Sequence, residues 1–128
     1  MSADNFLQKG IGWRIGWNRH AQLYRGMLGG EDWAMELTDK EFEDFCRLFR
    51  QLVDTIETLQ NELMDEEKIN CELESDLVYL STDGYPDSYS LRVILSQGRR
   101  AEGNWSAVAV TQLNEALINF LTSGQKGN

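Results

Sequence analysis

Catalysis needs titratable, nucleophilic or metal-binding side chains held close together, and this chain offers few such sets. His20 is the only histidine, so a Ser–His pair or a histidine-bound metal would have to be built on it. It sits in Asn18-Arg19-His20, a turn between apolar runs, where a solvated loop side chain is the simpler reading. Cys46 and Cys71 lie far apart without zinc spacing, each inside an apolar pattern, as reduced and buried thiols do. Glu72 and Glu74 alternate outward on one predicted strand, about 7 Å apart, a separation compatible with a carboxylate pair. Acids on the solvent face of a strand are commonplace, however, and no sugar-binding aromatic pattern flanks these. Asp65, Glu66 and Glu67 fan out over different helix faces and lack the glycine of a calcium loop, so they read as a solvated charge run. No catalytic residue, metal ligand or cofactor site is expected, and the chain reads as a protein that is not an enzyme.

A phosphate-binding loop is the next possibility, because residues 10–18 read GIGWRIGWN. The dinucleotide fingerprint is G-x-G-x-x-G between a strand and a helix, whose N-terminus receives the phosphate. Gly10, Gly12 and Gly16 are spaced G-x-G-x-x-x-G, with no apolar run before them and no helical pattern after. Period-two alternation instead predicts a strand, with Ile11, Trp13, Ile15 and Trp17 inward and Gly12, Arg14, Gly16 and Asn18 outward. Glycines on the reverse face mark a bulge, a bend or the close approach of another backbone.

Aromatic and basic residues suggest a third chemistry, the stacking of bases and neutralising of phosphates on an open sheet. Its candidates are Arg14, Tyr24, Arg25 and Arg92, with Trp13, Trp17 and Trp33 beside them. The tryptophans alternate with other apolar residues, as core positions do, which favours packing over stacking.

The positioning elements follow from periodicity. Residues 1–9 read as a loose leader. QLYRGML (22–28) predicts a second strand, Gly29-Gly30 a turn, and EDWAMEL (31–37) a third strand with Trp33, Met35 and Leu37 inward. Thr38-Asp39-Lys40-Glu41 is a capping box that opens a helix. From there Phe42, Phe45, Phe49, Leu52, Ile56, Leu59 and Leu63 step by threes and fours, broadened by Cys46 and Val53. A helix over 39–64 would be roughly 39 Å long, too long for one small sheet, so a partner helix from this chain or a second copy is expected. DEEK (65–68) ends it. INCELES (69–75) and LVYLST (77–82) predict strands with a bend at Asp76, and DGYPDS (83–88) a turn holding Pro86. YSLRVILS (89–96) places Tyr89, Leu91, Val93 and Leu95 on one face and Arg92 and Ile94 on the other. QGRR is a turn and AEGNW (101–105) a short last strand. Ser106 caps a second helix of about sixteen residues, carrying Val110, Leu113, Leu117 and Phe120, before a tail at 123–128. The fold class is α+β, one domain: strands plus a long helix over 10–64, then strands plus a C-terminal helix over 69–122. Each half is a meander closed by a helix, a repeat of elements rather than of letters.

At 128 residues and 41% hydrophobic content the chain suffices for a single core. Its net charge of −9, concentrated between residues 31 and 87, repels nucleic acid and anionic membranes and favours basic or apolar partners. No apolar run reaches the length of a membrane span. A cytoplasmic protein with reduced thiols is expected.

GIGWR near the N-terminus, GGEDWAMELTDKEF and MDEEKI resemble a small family of uncharacterised cyanobacterial proteins with a Whirly-like fold. The order of strands and helices is similar to that of Whirly proteins, plant single-stranded-DNA-binding transcriptional regulators. The resemblance covers nearly the whole chain and implies two antiparallel sheets with the helices between them. Its motifs are a turn, a core strand and a helix cap, and they carry no catalytic residue. The lysine-rich K-G-K-A segment of Whirly proteins has as its nearest counterpart Lys9-Gly10-Ile11-Gly12, which lacks the second lysine. The expectation is therefore a binding or assembly protein working through protein contacts, a homodimer included, with Phe42, Phe45, Phe49, Leu52, Ile56 and Leu59 as the helix interface. Binding of single-stranded nucleic acid on the Arg14, Tyr24, Arg25 and Arg92 face is the alternative.

Overall fold

In the computed structural model, residues 5–62, 67–96 and 100–126 are described, with the side chains of the last helix described as far as Leu121. Four strands, β1 (Phe6–Gly10), β2 (Trp13–Trp17), β3 (Gly26–Gly30) and β4 (Ala34–Leu37), precede the helix α1 (Asp39–Gln60). Four more, β5 (Glu72–Glu74), β6 (Val78–Tyr85), β7 (Ser88–Leu95) and β8 (Glu102–Trp105), precede α2 (Ala107–Lys126). Both sheets are antiparallel meanders whose strands neighbour one another in chain order. Both helices touch both sheets, and β3 meets β8 directly. The α+β class and the doubled meander-plus-helix order agree with the sequence reading.

The first strand departs from it. Residues 6–10 are not a leader but the edge strand β1, paired along its length with β2. Phe6 alone is drawn inward, stacked on Phe120 at 4.0 Å between ring centroids, while the rest of β1 is exposed. An edge strand with a single half-buried side chain leaves no alternation to read. Ile11, expected inward, is 85% exposed at the hairpin tip. Gly12 beside it has φ +82°, a left-handed conformation that only glycine adopts without strain.

Leu23, Arg25 and Met27 do not share a strand, because 18–25 is a loop and β3 begins at Gly26. Asn18 organises the loop: its carbonyl accepts from the Ala21 N–H at 3.1 Å and its side chain from the His20 N–H at 3.1 Å. Gly29 and Gly30 are not the turn but the end of β3, and the chain reverses over 31–33, closed by the Gly30 N–H donating to the Trp33 carbonyl at 2.9 Å. The Arg14 guanidinium lies over Gly29 and the Trp33 indole over Gly30, where a Cβ would collide with either. These glycines serve close approach, not chain reversal.

The capping box is present in full: the Glu41 N–H donates to Thr38 Oγ1 at 3.2 Å and the Thr38 N–H to Glu41 Oε1 at 2.9 Å. Behind it Phe42, Phe45, Phe49, Leu52 and Ile56 are at most 2% exposed, and Leu59 is half-buried. This corrects the expected helix interface. The ridge is covered by the chain's own two sheets and, at Phe42, by Phe120 of α2, so it is not open to a second copy. The helix also stops at Gln60, with Asn61 as its C-cap, which at 22 residues makes it roughly 33 Å long. Leu63 and the acids Asp65 and Glu66 lie outside the described residues, as do 97–99 of the QGRR turn.

In the second half Asp76 bends the chain as expected. Residues 83–88 form a tighter turn than composition suggests. Only Pro86 and Asp87 remain outside the strands, and β6 and β7 pair from Val78↔Leu95 to Tyr85↔Ser88. Ser106 opens α2, which extends to Lys126 rather than stopping after sixteen residues. Trp105, fully buried, packs on Phe45 at 5.8 Å and on Trp33 at 5.1 Å between ring centroids. Its indole N–H donates to the Gly29 carbonyl at 2.8 Å, stitching the two sheets together.

Candidate functional site

Register decides what the first sheet shows to solvent. Leu7, Gly16, Met27 and Glu36 form one outward row across β1–β4, and Lys9, Arg14, Gly29 and Ala34 the next. Gly16 leaves a dip between its neighbours, because a Cβ there would already touch Leu7 Cδ1 at 3.3 Å and Met27 Cε at 3.4 Å. The 18–25 loop stands at the end of the dip. Together they enclose a cleft of about 250 Å³ that Leu7, Gly16, Tyr24, Arg25, Met27 and Glu36 help to line. Leu7 in its lining is 61% exposed, so the cleft carries an uncovered apolar edge; Leu23, on the loop that bounds it, is 59% exposed.

The predicted basic face is thereby divided. Tyr24 and Arg25 meet at this cleft, and Arg14 lies on the same sheet face one row away. Arg92 belongs to the other sheet, in the outward row Glu72, Ser81, Arg92 and Asn104. Each arginine also has acceptors within the chain. Arg14 donates to the Trp33 carbonyl at 2.8 Å and the Gly30 carbonyl at 3.3 Å. Arg25 pairs with Asp39 at 2.6 Å, tying the loop to the first turn of α1, where a carboxylate also suits the helix dipole. Arg92 pairs with Glu102 at 2.6 Å, and that hydrogen bond raises its guanidinium above the ordinary arginine value.

The tryptophans are structural. Trp13 is 7% exposed and donates to Gln112 Oε1 at 2.7 Å. Trp17 packs beside Phe42 at 5.3 Å, and Trp33 donates to the Asn104 carbonyl at 3.2 Å. Sequence reasoning missed Leu7 and Met27 as the residues that make the cleft's lining apolar. The glycine on the back of β2 was the one available signal of a dip.

His20, Glu72 and Glu74 are all exposed. Among the described residues no group of three or more His, Cys, Asp or Glu side chains could hold a metal ion. Both cysteines are free. Burial, with a smaller contribution from Glu43, pushes the Cys46 thiol up to about 12. Among the described residues no helix is long and apolar enough to cross a membrane.

A family model described as a domain of unknown function (DUF1818) matches residues 8–120. A solved structure from Prochlorococcus sp. NATL2A, a protein of unknown function described as from the DUF155 family, is similar with a TM-score of 0.87 and 28% identity. The match covers 92% of this chain and 99% of that one. No curated protein matches.

Proposed function

Because the chain belongs to the DUF1818 family, whose description names no activity, we propose from its own surface that it is a non-enzymatic binding module acting through protein–protein contacts. The carrying observation is the cleft on the first sheet, where exposed Leu7 lies with Met27, Tyr24 and Arg25, and where exposed Leu23 precedes Tyr24 in the loop. An apolar rim with an aromatic and an arginine has the composition of a protein-binding surface. We further read the architecture as Whirly-like, supported by two successive four-strand meanders each followed by a helix, and the lineage as cyanobacterial, supported by the source of the similar structure.

The competing reading is a single-stranded nucleic-acid-binding regulator. Arg14, Tyr24 and Arg25 on one sheet face favour it. Against it stand the in-chain acceptors of Arg14, Arg25 and Arg92 and a net charge of −9, since such binding rests on unspent cations.

The two are separated by comparing wild type with Leu7→Glu and Leu23→Glu as baits in native lysate, and by titrating oligo-dT in low salt. The expected result is a reproducible protein partner lost in both variants, with no saturable oligonucleotide binding. Oligonucleotide binding that weakens on Arg14→Ala and Arg25→Ala would reverse the assignment.

A further inference from the structure

A second cavity, of about 270 Å³, opens where the end of α1, the β6–β7 turn and the start of α2 converge. Its apolar lining includes Ile56 of α1, Pro86 of the turn and Val110 of α2, all buried. Its polar lining comes from three directions: Glu57 and Gln60 from α1, Asp87 and Tyr89 from the hairpin, Thr111 and Asn114 from α2. Among the described residues no lysine, arginine or histidine lines it. Neither Glu57 nor Asp87 is ion-paired among the described residues. Two carboxylates, amides and hydroxyls above an apolar floor are the complement of a positive head on a short hydrocarbon stem.

We propose that this cavity is a binding site for a primary alkylammonium group, its head held by Glu57 and Asp87 and its stem laid on Ile56 and Val110. Burial, followed by the charge of Glu57, raises the Tyr89 hydroxyl above its ordinary value and keeps it protonated, so that its oxygen is a neutral partner for the head. The lining lies apart from the cleft of the first sheet, and the inference stands whether or not that cleft binds a protein.

Calorimetric titration of the full chain with 1,5-diaminopentane, n-pentylamine and pentanoate tests it. Saturable binding of one amine per chain is expected, about tenfold weaker in Glu57→Gln, with no binding of pentanoate. Thr111→Trp, which fills the cavity from exposed α2, is expected to abolish binding while leaving the circular dichroism spectrum unchanged. Glu72→Gln, on the outer face of the second sheet and outside the cavity lining, is expected to leave affinity intact. Equal losses in Glu57→Gln and Glu72→Gln would reduce the effect to general charge attraction, and saturable pentanoate binding or no saturable heat with either amine would overturn the site. A lysyl side chain of a docked protein presents the same head and stem. Nα-acetyl-lysinamide binding more tightly than the diamine would assign the site to that source, and the reverse order to a free amine.

Discussion

At the scale of single residues, burial matters more than reactivity. Cys46, on the buried face of α1, is 6% exposed, and its thiol is held up at about 12 against an ordinary 9.0. The folded chain keeps that proton where the unfolded chain has lost it. The thiol's contribution to stability is therefore fully present below pH 9 and is lost as pH rises from there toward 12. Within that window, stability is expected to fall by roughly 1 kcal/mol per pH unit from this one group. Urea unfolding across the range checks it, and Cys46→Ala should flatten the slope. Trp33 and Gly103 make the complementary point in packing, since the indole occupies the space a side chain at 103 would need. Nothing in the local sequence EGNW announces that a ring from another sheet lies against it.

At the scale of elements, local chemistry and local structure agree best at the start of α1. Thr38 and Glu41 satisfy each other's backbone N–H groups, and Asp39 suits the helix dipole while holding Arg25. Thr38→Ala is expected to lower stability by about 1 kcal/mol, read from chemical denaturation, with the helix otherwise retained. The three-and-four spacing of Phe42, Phe45, Phe49, Leu52 and Ile56 was equally legible, because burial along one helix face writes itself into period 3.6. Elements that touch the core only once write no such record. β1 exposes all but Phe6, and so it reads as a leader. The loop at 18–25 carries Leu23 and Tyr24 like a strand, yet it is shaped by hydrogen bonds around Asn18.

At the scale of the molecule, the decisive fact is where the ridge of α1 goes. Its apolar length suggests a partner helix, and the same chain supplies the cover: its two sheets and, against Phe42, Phe120 of α2 at 6.1 Å between ring centroids. Phe49→Ala is expected to cost about 3–5 kcal/mol, by the same amount at every protein concentration. A ridge shared between copies would make that loss concentration-dependent. Trp105 carries the matching load from the other sheet, packed on Phe45 and bonded to the Gly29 carbonyl.

Period and capping determined the class, the order of the major elements and the inward faces of β2, β4, β7, α1 and α2, because each depends on neighbours within a few residues along the chain. The cleft between Leu7, Met27 and Tyr24, the separation of Arg92 from Arg14, and the cavity between Glu57 and Asp87 were decided only in three dimensions. Each joins residues from different strands, loops or helices, and sheet register and interlayer packing, which bring them together or hold them apart, leave no periodic trace in any one segment.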